Sequence, residues 1–182
     1  MKYLIIGCGL SGSVVAERIA SQLKEKVLII DKRNHIGGNC YDYIEEETNI
    51  RVNKYGAHLF HTNDKEVWEY INKFDEWKRW EHKVLSFVEK KFVSIPVNIT
   101  TINQLCNENL ENEQDVNAWL SKKQINYEKM IKEYTFKQWN KYPEELDKSV
   151  LARIPIRPNF DTRYFNDKYQ ALPKYGYTHF FE

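Results

Sequence analysis

Tyr3-Leu4-Ile5-Ile6 is an unbroken apolar run closed by Gly7, the pattern of a parallel strand buried on both faces. From Gly12 to Lys24, apolar residues recur at Val15, Ile19 and Leu23 with Val14, Ala16 and Ala20 beside them. Spacings of three and four predict an amphipathic helix there. Val27-Leu28-Ile29-Ile30 repeats the buried-strand pattern and runs straight into Asp31. Strand, glycine turn, helix and strand together predict a βαβ unit with a right-handed crossover.

Beyond Asp31 the pattern changes. Asn49 to Asn53 reads as a short strand, and Thr62 or Asn63 as the cap of a helix running to Phe74, with Val67, Tyr70, Ile71 and Phe74 on its inner face. Val84–Val88 and Phe92–Ile95 alternate as a hairpin around Glu89-Lys90-Lys91. From Ile99 to about Tyr142 the pattern is helical and polar, with Val116, Trp119 and Leu120 on one helix and Tyr127, Ile131 and Tyr134 on another. All five prolines lie at or beyond Pro96, so the last thirty or so residues are expected to be extended and turn-rich.

Composition narrows the functional classes. The 182 residues, 42% hydrophobic, suffice for one moderate domain with an insertion. With 27 basic against 26 acidic side chains, no charge excess points to nucleic acid. The longest apolar runs are far shorter than the ~18 residues a spanning helix needs, and no signal-peptide pattern opens the chain, so a cytoplasmic location without membrane insertion is expected. Cys8, Cys40 and Cys106 are widely spaced and form no CxxC pair, which predicts neither a disulfide framework nor a zinc site. Five of the seven glycines, Gly7, Gly9, Gly12, Gly37 and Gly38, crowd into the first 38 residues. Glycine gathers where backbone takes positive φ or meets something closely, so a site is expected near the N-terminus.

Gly7-Cys8-Gly9-Leu10-Ser11-Gly12 is a G-x-G-x-x-G sequence in its required setting, after a strand and opening a helix, with Asp31 ending the next strand. In that setting Gly7 permits the tight turn, Gly9 lets backbone approach a pyrophosphate, and Gly12 lets helix pack on strand. The helix N-terminus offers free N–H groups to phosphate, and Asp31 can accept hydrogen bonds from a ribose. Gly37-Gly38, six residues past Asp31, has no use in a plain NAD domain. An acid followed by a Gly-Gly turn resembles the FAD-binding half of glutathione-reductase and amine-oxidase-like flavoproteins, which ranks FAD above NAD.

Four blocks extend the resemblance: Asp31-Lys32-Arg33-Asn34-His35-Ile36-Gly37-Gly38-Asn39, Lys54 to Thr62, Tyr134 to Trp139, and Arg153 to Arg157 with Tyr164-Phe165-Asn166-Asp167 and Tyr169-Gln170. Their order and spacing resemble the N-terminal half of the UDP-galactopyranose mutase family. The resemblance implies an α/β fold: a Rossmann-like FAD-binding βαβ unit, a helical insertion and part of a small antiparallel sheet. It divides the chain into residues 1–80 of the FAD-binding domain, a hairpin at 81–98, a substrate-binding helical insertion at 99–150 and an extended return at 151–182. It further implies interconversion of UDP-galactopyranose and UDP-galactofuranose through a covalent adduct at N5 of reduced FAD, with no net redox change.

Site roles follow from the same resemblance. Gly7, Gly9, Ser11, Gly12, Asp31, Lys32, Gly37, Gly38 and Asn39 resemble the family's FAD contacts, and His58-Leu59 the stretch along the flavin. Trp139 corresponds to the aromatic that stacks on uridine, beside Tyr134 and Thr135; Arg157 corresponds to a mobile-loop arginine clamping the diphosphate, and Tyr164 to a further substrate contact. A guanidinium suits that clamp because it stays charged and binds phosphate oxygens in pairs. His82 stands where relatives often carry an Asn near the nucleotide, and Tyr175 replaces one glycine of a Pro-x-Gly-Gly-Tyr turn, where its side chain is expected to obstruct close backbone approach. His58 and His61, three apart without a Cys or carboxylate cluster, do not make a metal pair, so no metal is expected.

The chain has about half the family's length. The resemblance therefore places a second diphosphate arginine and the returning strands of the FAD domain beyond Glu182, and implies weak FAD binding and slow turnover by these 182 residues alone. The expected ligand is UDP-galactose; a homo-oligomer and a complementing C-terminal polypeptide both stay open as partners. Two rival readings remain: an inactive, nucleotide-binding remnant of the same family, and an ordinary FAD or NAD oxidoreductase.

Overall fold

The computed structural model describes residues 2–122, 136, 140–142, 145 and 156–182. These fall into two compact units, Met1–Trp80 with Asp167–Glu182, and Glu81–Asn166.

The first unit opens with β1 (Tyr3–Ile6), α1 (Leu10–Arg18), a π-helical turn (Ile19–Leu23) and β2 (Val27–Ile30). β1 and β2 pair in parallel, Tyr3 opposite Val27 through Ile6 opposite Ile30, giving the βαβ unit that the periodicity predicts. The helix starts two residues earlier than expected, because the Ser13 N–H already bonds the Gly9 carbonyl at 3.0 Å. The expectation of burial on both strand faces is overturned. Ile5 and its neighbours of the same parity turn toward α1, whereas Leu4, Leu28, Ile30 and, at 81% exposure, Ile6 face outward. Strand side chains alternate, so a single covering helix shields only every second residue.

β3 (Asp42–Ile44) pairs with β4 (Arg51–Asn53) across a turn in which Glu45 accepts from both the N–H and the hydroxyl of Thr48. β5 (Phe60–Thr62), α2 (Lys65–Ile71) and β6 (Trp77–Arg79) follow. The cap of α2 is Asp64 rather than Thr62 or Asn63: its carboxylate accepts the N–H groups of Glu66 and Val67 at 2.8 and 3.2 Å. A carboxylate there also complements the helix dipole, which a hydroxyl or amide does not. The helix stops at Ile71, three residues short of Phe74. Numbering along the whole chain, the tail supplies β9 (Tyr169–Pro173) and α5 (Tyr177–Phe181). β9 lies between β5 and β6, pairing Phe60 with Ala171 and Trp77 with Pro173. Much of the chain's aromatic content packs here: Trp68 stacks on Tyr169 at 5.1 Å, and Trp77 meets Phe60 at 5.2 Å and Phe180 at 5.4 Å.

The second unit begins with a hairpin of β7 (Val84–Val88) and β8 (Lys91–Ile95), followed by α3 (Ile99–Cys106) and α4 (Glu113–Lys122). Its core joins Val97, Ile99 and Ile102 to Val116 and Trp119, two of the three residues assigned to one helix face from spacing alone. The second expected helix, with Tyr127, Ile131 and Tyr134, lies outside the described residues. The Asn98 side chain caps α3 through the Thr101 N–H at 2.9 Å. In the hairpin, Lys91 joins β8, so the turn shrinks to Glu89 and Lys90, both with positive φ (48° and 62°).

A two-residue turn of this hand favours Asn-Gly, and each ordinary residue held left-handed costs roughly 1–2 kcal/mol. Replacing Glu89-Lys90 by Asn-Gly is expected to stabilise the protein by about 1 kcal/mol or more. Urea unfolding should show a higher midpoint with an unchanged slope.

Candidate functional site

Three glycines of the first turn serve three separate physical ends. Gly7 has φ of 107°, and its N–H bonds the Ile30 carbonyl at 2.7 Å, closing the turn onto the end of β2. A Cβ on Gly12 would fall on the Gly7 carbonyl oxygen and 3.3 Å from Ile5 Cγ2, so Gly12 is bare because helix and strand touch there. Gly9 differs from both. Its φ of −91° suits any residue, and a Cβ there would meet nothing nearer than Gly38 Cα at 3.8 Å. Beyond the general preference for glycine over alanine at a helix N-cap, the fold does not demand glycine at position 9. The first N–H groups of α1, at Leu10, Ser11 and Gly12, have no intrahelical acceptor and face the same turn.

The second turn lies directly against the first. Gly37, with φ of 83°, donates its N–H to the Cys8 carbonyl at 2.8 Å, and Gly38 is so close that a Cβ would come within 3.0 Å of Gly9 Cα. Asp31 completes the arrangement from the end of β2. One carboxylate oxygen accepts the Cys8 N–H at 2.7 Å and the other the Arg33 N–H at 2.9 Å. These bonds, that from Arg33 foremost, hold its carboxyl below the usual range, so it is a charged acceptor at neutral pH. Each oxygen keeps a second lone pair for a ligand hydroxyl. The structure thus brings Gly7, Gly9, Gly12, Asp31, Gly37 and Gly38 together. The Lys32 and Asn39 residues flank the second turn and are exposed, as is Ser11. His58 is half-buried beside Leu59, with Nδ1 3.0 Å from the Gly56 carbonyl.

In the second unit three further sequence candidates meet. The Tyr164 N–H bonds the His82 carbonyl, and the two rings sit edge to face with centroids 5.9 Å apart. Arg157 donates to the carbonyls of Arg163 and Tyr164, the latter at 2.9 Å, and its own N–H bonds Val97 O at 2.8 Å. It is only 6% exposed, and burial lowers its pKa from the ordinary arginine value. Its Nε is buried without a hydrogen-bond partner among the described residues. The resemblance implies an arginine on a mobile loop; here backbone bonds anchor it, since a buried guanidinium must find acceptors nearby. Tyr134, Thr135 and Trp139 lie outside the described residues.

Tyr175 is 41% exposed and rests against His179, while Gly176, with φ of 93°, takes the left-handed position of the turn. Sequence reasoning also missed Asp42, buried in β3, whose carboxylate accepts the N–H groups of Tyr177 and Thr178 at 2.8 and 2.9 Å. A lone acid between two tyrosines carries no signal of burial. Its partners lie 135 and 136 residues away in sequence.

Residues 5–74 match an NAD(P)-binding Rossmann-like domain, and residues 129–182 match UDP-galactopyranose mutase. The chain is 38% identical to a probable UDP-galactopyranose mutase of Klebsiella pneumoniae, over 98% of this chain and 51% of that protein. It is also 38% identical to a dTDP-fucopyranose mutase of Escherichia coli, over 100% of this chain and 53% of that one. Identity to the UDP-galactopyranose mutase of Mycoplasma genitalium is 32%, over 98% and 50%. The chain spans about half the length of the curated relatives it matches.

The three glycine roles are separable by experiment. Gly12→Ala is expected to destabilise the protein by about 3 kcal/mol, since backbone must move to admit the methyl group. Gly9→Ala, which loses only the N-cap preference for glycine, should stay within about 1 kcal/mol of the parent. Thermal or urea unfolding of the two variants checks both values.

Proposed function

Because this chain belongs by sequence to the UDP-galactopyranose mutase family, we propose that it carries the FAD-binding turns and diphosphate-contacting residues of an enzyme that interconverts UDP-galactopyranose and UDP-galactofuranose. The observation that supports this most directly is Gly9, a bare backbone position with room for a methyl on the protein side. The open side is left for a ligand that must come within backbone contact, as a pyrophosphate does.

In this reading the first N–H groups of α1 meet the cofactor phosphates, and Asp31 accepts from the adenosine ribose. Two adjacent glycine turns rather than one favour FAD over NAD, with Lys32 and Asn39 as polar contacts and His58-Leu59 along the flavin. When bound, reduced flavin supplies an electron pair at N5 for the anomeric carbon, so the nucleoside diphosphate leaves without net redox change. The protein's own work is electrostatic. Arg157 exchanges neutral carbonyl acceptors for diphosphate oxygens, which as anions make the stronger hydrogen bonds and stabilise the leaving group. Tyr164 and His82 pack beside it, and by family resemblance Trp139, Tyr134 and Thr135 contact the nucleoside.

One observation favours a second substrate reading: identity to the dTDP-fucopyranose mutase equals that to the Klebsiella protein. Both substrates are nucleoside diphosphates of a pyranose sugar, so the same diphosphate contacts serve either.

Two measurements test the proposal. Flavin titration should show binding by the parent, at least roughly tenfold weaker binding by Gly9→Ala and none by Gly9→Val, while Gly9→Ala keeps the parent's stability to within about 1 kcal/mol. A parent chain binding flavin no better than Gly9→Val would overturn the placement. Ring interconversion, assayed with UDP-galactopyranose and dTDP-fucopyranose in parallel, should require prior reduction with dithionite. Equal rates with oxidised flavin would exclude this chemistry, and turnover of the dTDP sugar alone would transfer the proposal to that substrate.

A further inference from the structure

A chain of contacts runs from the tail of the protein to the second glycine turn, wholly within the first unit. It begins at Asp42, whose carboxylate is almost fully buried and accepts from the N–H groups of Tyr177 and Thr178, the first turn of α5. The link is doubled, because the Thr178 hydroxyl donates to the Asp42 carbonyl at 2.6 Å and accepts the Asp42 N–H at 3.1 Å. Arg51 lies 3.5 Å from the same carboxylate, and a Cβ on Gly176 would run into both the Arg51 guanidinium and Asp42 Oδ2. The tail can reach Asp42 only because position 176 has no side chain.

At its other end α5 carries Phe181. The edge of that ring lies 3.1 to 3.2 Å from where a Cβ of Gly37 would stand, so it rests on the bare α-carbon of Gly37. Gly37 in turn donates to Cys8 and, through Gly38, abuts Gly9. On its other side the turn is closed by the Cys40 N–H on the Gly37 carbonyl at 2.9 Å and the Tyr41 N–H on the Gly38 carbonyl at 3.4 Å. Its two residues have φ of 83° and 58°, and Lys32 and Asn39 beside it are exposed. A left-handed glycine pair is conformationally free unless something covers it.

We infer that Asp42 is a positioning residue for the dinucleotide turns: by anchoring α5 it seats Phe181 on Gly37 and holds the second glycine turn against Gly9. Its importance for cofactor binding rests on the proposed function, whereas the mechanical coupling stands on the contacts alone. The inference assigns the tail a task in the glycine-turn site. Preorganising a turn before the ligand arrives removes the cost of ordering it on binding.

Amide hydrogen exchange in the full 182-residue chain without cofactor tests the coupling. Two variants are compared with the parent. Asp42→Asn keeps one acceptor oxygen but turns an NH2 group toward a backbone donor, and Phe181→Ala removes the ring while leaving Asp42 and its bonds to α5 in place. Both are expected to speed exchange of the Gly37 N–H about tenfold or more, while the Gly7 N–H, bonded to Ile30, keeps its rate. In Phe181→Ala the Tyr177 and Thr178 amides should also stay protected. An unchanged Gly37 rate in Phe181→Ala would overturn the inference, and so would equal acceleration of Gly37 and Gly7, which marks general loosening. Should Asp42→Asn fail to fold, Phe181→Ala still decides. A parallel flavin titration should show both variants binding at least fivefold more weakly than the parent, and undiminished affinity beside a faster Gly37 amide would overturn the positioning role. If the parent binds no flavin, the proposed function fails and the exchange result still decides whether the tail holds the turn.

Discussion

The N–H of Gly37 bonded to the carbonyl of Cys8 is the contact on which the candidate site depends. It brings together two turns separated by an entire helix and strand, and Gly38 lies this close to Gly9 because it carries no side chain. Asp31 reinforces it from below by holding the Cys8 amide, so a residue expected to face a ribose also fastens the loop above it. Backbone hydrogen bonds, the absence of Cβ atoms and the cover that Phe181 gives the buried Gly37 sustain this arrangement.

The first unit shows which features of a sequence announce themselves. Gly7, Gly12 and Asp31 were legible because each answers a local demand: positive φ, close helix packing, or an acceptor at a strand end. The pairing of β1 with β2 followed from two apolar runs. By contrast β3, β5 and β6 are three residues long, too short for alternation to stand out. Asp42 was illegible for a different reason. Its partners at Tyr177 and Thr178 come from the other end of the chain, and nothing within several residues of it reveals a buried acceptor. The cap of α2 lay one or two residues from its predicted place, since Thr62, Asn63 and Asp64 are all plausible caps and only the fold chooses among them.

Tertiary demands also reshape the second unit's chemistry. Arg157 was singled out for its family resemblance, and its sequence neighbourhood gives no warning that its guanidinium is spent on the carbonyls of Arg163 and Tyr164. Those bonds make the loop from Arg157 to Tyr164 a closed ring of polar contacts, with Asp161 and Arg163 paired across it at 2.7 Å. An anion taken up by Arg157 competes with that ring. In the proposed role of Arg157, binding and loop conformation would therefore be coupled through one side chain.

The unequal standing of Gly9 and Gly12 reaches beyond mechanism. A methyl at position 12 collides with backbone whatever the protein does, so glycine is kept there by the need to fold. A methyl at position 9 collides with nothing in the protein, so steric fit within the fold does not demand glycine there. A lineage that had given up its dinucleotide would be free to drift at position 9 while staying fixed at position 12. This chain has glycine at both.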